Sequence, residues 1–133
     1  MIRRLRAAAT AALFLPPLVV GACGGSPTGP RSERDGPLLA IVGRDELWLL
    51  NRGDTPVFTF VMDQESLALA DWAPCADAVR CPPIQPGAQR AVKFGSEGGL
   101  RAGHRAVVNW WLAVPGPSGA AVPGPIHSFV VQL

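Results

Sequence analysis

Beyond residue 36, short apolar runs alternate with segments of glycine, proline and aspartate. Runs of roughly four to eight residues that are rich in β-branched and aromatic side chains are typical of β-strands. They cover residues 38–43, 46–51, 57–62, 89–95, 105–114 and 126–133. We therefore expect about six strands, joined by turns.

The run at 105–114 is the strongest strand pattern and contains the adjacent pair Trp110 and Trp111. Neighbouring residues of a strand point to opposite faces, so one indole must lie away from the core unless both faces are covered. An exposed aromatic ring would stack on a sugar or contact a partner protein. The pair is therefore a candidate binding surface, and the alternative is that the second indole lies under the loop 115–125.

One helical pattern is present, at residues 63–72. Asp63 would cap it, Glu65 to Ala70 would form two turns, and Pro74 would end it; the alternative is that the segment is a loop. Fourteen prolines and fifteen glycines leave little room for longer helices. The pattern predicts an all-β domain over residues 37–133, a small antiparallel β-sandwich of immunoglobulin-like type, with an up-and-down barrel as the alternative.

The amino-terminal segment has the layout of a signal peptide. Arginines at positions 3, 4 and 6 precede an uncharged run at 7–20, which small residues follow. Fourteen residues are too few for the roughly 20 that a membrane-spanning helix needs, and Pro16 and Pro17 would break such a helix. The paired Arg3 and Arg4 leave both general secretory and twin-arginine export open.

This segment ends with Val20, Gly21 and Ala22 directly before Cys23. The arrangement resembles the lipobox of bacterial lipoproteins, with Val20 in place of the more common leucine, and the resemblance covers residues 1–23. It implies that signal peptidase II recognises residues 20–22 and cuts before Cys23, whose thiol carries a diacylglyceryl group. The alternative is an ordinary secreted protein in which Cys23 is a free thiol.

Residues 23–36 are rich in glycine, proline, serine and charged side chains, which predicts a flexible tether with a reach on the order of 20 Å. Lipidation implies anchoring in the cell envelope, with the domain facing the periplasm or the exterior. Gly24 stands where enterobacterial lipoproteins of the inner membrane carry aspartate. That resemblance favours the outer membrane if the host has one.

The charge balance bears on the class of partner. The whole chain carries twelve basic and ten acidic side chains, and removal of residues 1–22 would leave nine basic against ten acidic. A near-neutral domain without a basic run lacks the electrostatic footprint of a nucleic-acid-binding protein. We therefore expect no nucleic-acid partner.

Cys75 and Cys81 predict a disulfide, because an exported chain meets oxidising conditions. Closing this small ring would contribute roughly 2 kcal/mol to stability. A zinc finger would need two further ligands, and His104 and His127 are not at finger spacing. A blue-copper site would require the cysteine and histidines in another order. We expect no metal and no cofactor.

No serine has a nucleophile-elbow context, and the carboxylates are scattered, so we expect no enzyme activity. The sequence instead favours a lipid-anchored extracytoplasmic protein with a binding or envelope-structural role, whose partner is an envelope protein or a glycan. One alternative is a small metal-binding or enzymatic domain that uses His104 or His127. Another is a protease inhibitor that presents the loops 73–88 and 115–125.

Overall fold

A computed structural model describes residues 30–133 and confirms the all-β, antiparallel class. The signal segment, Val20 to Ala22 and Cys23 lie outside the described residues. The described elements are β1 (Ser32–Asp35), β2 (Leu38–Val42), β3 (Glu46–Asn51), β4 (Phe58–Asp63), α1 (Gln64–Leu67), β5 (Gln89–Lys93), a 3₁₀ turn (Glu97–Gly99), β6 (Arg105–Trp111), β7 (Ala113–Pro115), β8 (Ala121–Pro123) and β9 (His127–Gln132).

Two sheets and one hairpin make up the domain. The first sheet has the order β1-β2-β3-β5, the second has the order β4-β6-β9, and β7 pairs with β8. Four strands facing three is the strand count of a constant-type immunoglobulin domain, but that fold places its first, second, fifth and fourth strands side by side. The antiparallel all-β class is confirmed, and this order of strands does not confirm the immunoglobulin-like type.

The core lies between the two sheets and follows the alternation of each strand. The first sheet contributes Leu38, Ala40, Leu47, Leu49 and Val92, and the second contributes Val61, Ala106, Val108, Trp110 and Val131. All of these side chains are buried. In β4, Thr59 and Val61 lie opposite Trp110 and Val108 of β6, and Val61 packs into the core between the sheets.

Strand β1 lies within the segment 23–36 that the sequence predicts to be a tether. Its four residues are polar or charged, yet they pair antiparallel with β2 from Ser32↔Ile41 to Asp35↔Leu38. Pairing depends on backbone hydrogen bonds, which need no apolar side chain. The folded domain therefore begins at or before Ser32, and the predicted tether is shorter by several residues.

The predicted strands are confirmed, and the predicted helix is shorter than expected. All six predicted strands are present as β2, β3, β4, β5, β6 and β9, with bounds that differ by a few residues. The helix is one turn, Gln64–Leu67, and Asp63 caps it as predicted by accepting a hydrogen bond from the Glu65 amide at 3.0 Å. Over residues 30–133, the helices are too short or too polar to cross a bilayer.

Candidate functional site

The disulfide-containing segment covers part of the outer face of the β4–β6–β9 sheet, over β4 and β6. Cys75 and Cys81 form the predicted disulfide. Just before it, the ring of Trp72 stacks on Phe60 of β4, with centroids 4.5 Å apart. We call residues 72–85 the stapled segment, because the disulfide closes its central loop.

Trp111 lies beneath this segment. Its Nε1 donates a hydrogen bond to the Cys75 carbonyl at 2.8 Å, and its ring stacks with Phe58 at 6.2 Å. The indole is only 3% exposed. The cover over the outer face is thus the stapled segment, and not the loop 115–125 that the sequence suggests.

Trp110 points to the other face and belongs to the core between the sheets. Its Nε1 donates to Oδ2 of Asp35 at 2.8 Å, and the ring of His127 stacks on it at 4.2 Å. It is 5% exposed. Because both faces of β6 are covered, neither Trp110 nor Trp111 is available as the binding surface that the sequence suggests.

An apolar groove lies where the stapled segment meets the β7–β8 hairpin. Its volume is about 390 Å³, and apolar side chains dominate its lining. It is lined by Thr55, Pro56 and Phe58, by Ala76, Ala78, Pro83 and Gln85, and by Leu112, Ala113 and Ala121. The loops 73–88 and 115–125, which a protease inhibitor would present in one of the predicted alternatives, therefore converge on one groove. Small alanines leave the space, and prolines stiffen its walls.

Asn51 holds one wall of this groove in place. Its side-chain amide donates to the carbonyls of Thr55 at 2.7 Å and Ile84 at 2.9 Å. Its Oδ1 accepts from the Gly53 amide at 2.9 Å. The residue is fully buried, so this single side chain ties the turn after β3 to the end of the stapled segment.

A second, polar cleft lies beside β4. Asp63, Glu65 and His104 bring one ligand atom each to within 4.8 Å of one another. Nδ1 of His104 lies 3.1 Å from Oδ2 of Asp63, and a guanidinium nitrogen of Arg101 lies 3.9 Å from the same oxygen. His104 comes from the turn before β6, so the fold joins two positions that are distant in sequence. Sequence reasoning offered His104 as a metal ligand in one alternative and Asp63 as a helix cap, but it did not bring the two together.

The other histidine and two of the serines that the sequence analysis considered make local contacts. His127 stacks on Trp110, away from His104. Ser128 donates to Oδ1 of Asn109 at 2.6 Å, and Ser96 donates to the Lys93 carbonyl at 2.6 Å. These hydroxyls hold local structure.

No family model, no curated protein and no solved structure matches this chain. The groove, the polar cleft and the amino-terminal sequence are therefore the features of the chain that bear on its function.

Proposed function

We propose that this chain is a lipid-anchored extracytoplasmic protein of the cell envelope that binds a partner protein in the groove between the stapled segment and the β7–β8 hairpin. The single observation that carries the proposal is the convergence of these two segments on one apolar groove of about 390 Å³. Grooves of this kind, with a mainly apolar lining and few polar groups, are common binding sites.

The groove favours a protein segment over a glycan. Stacking on a sugar needs the open face of an aromatic ring, and Phe58, the aromatic residue of the groove lining, is only 4% exposed. The groove walls instead offer alanine and proline side chains with Gln85 and Thr55 at the edge. Such a surface suits an extended apolar peptide, whose backbone can bond to the few polar groups.

The anchoring half of the proposal rests on the lipobox resemblance at residues 20–23. Since β1 begins at Ser32, the predicted tether has only about nine residues and a reach on the order of 16 Å. The domain would then stay close to the membrane surface. The several acyl chains expected at Cys23 would hold it there firmly, because each buried methylene contributes about 0.8 kcal/mol.

Metabolic labelling with a fatty-acid analogue tests the anchor. The native chain should incorporate the label and fractionate with membranes, whereas Cys23→Ala should do neither. The double variant Cys75→Ser/Cys81→Ser is the matched control, because it removes two cysteines and should keep the label. Continued labelling of Cys23→Ala would contradict the lipoprotein assignment.

Site-directed cross-linking tests the groove. A photoreactive residue at Ala78 or Ala121, on opposite walls, should capture the same envelope protein in intact cells. The control position is Gln89, which is exposed on β5 of the other sheet and should capture nothing in common. An equal yield at Gln89, or different partners from the two walls, would refute binding in the groove.

A further inference from the structure

We propose that Asp63, Glu65 and His104 form a binding site for a divalent transition-metal ion of the zinc class. Asp63 ends β4, Glu65 lies in the first turn of α1, and His104 lies in the turn before β6. The site is separate from the apolar groove, and the proposal does not depend on the groove's function.

The spacing of the ligand atoms suits a small divalent ion. Ligands of zinc lie about 2.0–2.2 Å from the metal, so neighbouring ligand atoms are about 2.8–3.1 Å apart in octahedral coordination and about 3.3–3.6 Å apart in tetrahedral coordination. The 3.1 Å between Nδ1 of His104 and Oδ2 of Asp63 has this length. Glu65 is within 4.8 Å, and its side chain is 79% exposed, so a rotamer change can bring its carboxylate closer.

The environment of Asp63 is an independent reason to expect a ligand. Its side chain is only 1% exposed, and Oδ1 accepts the capping hydrogen bond from the Glu65 amide. Oδ2 accepts no hydrogen bond, although Nδ1 of His104 is close, and Asp63 is among the residues that line an open polar cleft of about 540 Å³. A buried carboxylate oxygen without a donor is costly, and a bound cation would satisfy it.

Arg101 is the group that competes with such an ion. Its guanidinium lies 3.9 Å from Oδ2 of Asp63 and 3.7 Å from a carboxylate oxygen of Glu65, which is beyond hydrogen-bonding distance. Its side chain is 57% exposed, and exposed ion pairs of this length contribute little. Arg101 can therefore swing into solvent when a metal ion binds.

The donor set selects the class of metal. Carboxylates alone would suit magnesium or calcium, whereas an imidazole beside them favours zinc and its first-row neighbours. Three protein ligands leave at least one position to water, as in zinc sites that are not purely structural. The cleft is open to solvent, so such a water has room.

Isothermal titration with zinc, and the visible absorption of bound cobalt, test the site. The full chain with Cys23→Ala is used so that no free thiol binds the metal, since the other cysteines form the disulfide. We expect one zinc per chain, and at least a tenfold loss of affinity on His104→Ala or Glu65→Gln. Asp63→Asn should lose affinity likewise while its amide oxygen retains the cap. Calcium and magnesium should bind far more weakly than zinc.

Two further variants separate a metal site from a simple ion-pair cluster. Arg101→Gln should tighten zinc binding by removing the competing cation, and His127→Ala should leave it unchanged. The proposal is overturned if zinc does not bind stoichiometrically, if His127→Ala weakens binding as much as His104→Ala, or if Arg101→Gln fails to tighten it. Far-ultraviolet circular dichroism of each variant identifies any that has unfolded, and Glu65→Gln, on an exposed side chain, then decides the test.

Discussion

Replacing Asn51 with alanine should cost this small domain a large part of its stability. The change removes three side-chain hydrogen bonds, to the backbone of Gly53, Thr55 and Ile84, from a fully buried position. Each bond contributes on the order of 1 kcal/mol, and the cavity adds to the loss, so we expect about 3 kcal/mol. A domain of this size has a total margin of roughly 5–15 kcal/mol.

Asn51→Asp sharpens the test because it keeps the volume of the side chain. The carboxylate can still accept from the Gly53 amide, but it meets the carbonyls of Thr55 and Ile84 with oxygen in place of two N–H donors. A buried charge that faces two acceptors should destabilise the fold at neutral pH at least as much as alanine does.

Urea unfolding followed by tryptophan fluorescence measures both effects. Gln89→Ala removes an exposed amide from β5 and should change the free energy of unfolding by less than about 0.5 kcal/mol. The reasoning fails if Asn51→Ala costs less than about 1 kcal/mol, or if Asn51→Asp is as stable as the native chain. Either result would mean that water or rearranged backbone replaces the three bonds.

Two further substitutions test other packing features. Gly98 has a φ of +69°, and a Cβ there would collide with the Val61 carbonyl, whereas Gly87 has a φ of +74° with nothing within 4 Å. Gly98→Ala should therefore lower the free energy of unfolding by about 1–3 kcal/mol more than Gly87→Ala, and equal losses in chemical denaturation would contradict this. Cys75→Ser with Cys81→Ser should cost roughly 2 kcal/mol and lower the melting temperature, and an unchanged melting temperature under matched conditions would argue against the staple.

The sequence predicts the strands that carry apolar alternation. It misses β1 and β8, and it merges β7 with β6 in the single run 105–114. β1 is entirely polar or charged, and β7 and β8 have three residues each. Their pairing rests on backbone hydrogen bonds and on proximity created by the rest of the fold. These strands are too short or too polar to show a period of two in hydrophobicity, so the hydrophobic pattern does not predict them as separate strands.

The candidate sites are predictable only in part, because long-range packing builds them. The alternation rule correctly places Trp110 and Trp111 on opposite faces, but it cannot reveal that the stapled segment folds back over Trp111. Likewise, the local sequence predicts only that Asp63 caps a helix. His104 reaches Asp63 because the fold places the turn before β6 beside the end of β4. Local pattern reports which way a side chain points, and tertiary structure decides what it meets.

The position of β1 has a mechanical consequence if Cys23 is the anchor. Any pull from the membrane would reach the domain at Ser32, at the open end of the β1–β2 hairpin. A force applied at this end breaks the β1–β2 hydrogen bonds one after another, whereas a force along the strands would load them all at once. Four residues at about 3.3 Å each would be released before the load reaches β2. Detachment of this edge strand would lengthen the link between the bilayer and the domain.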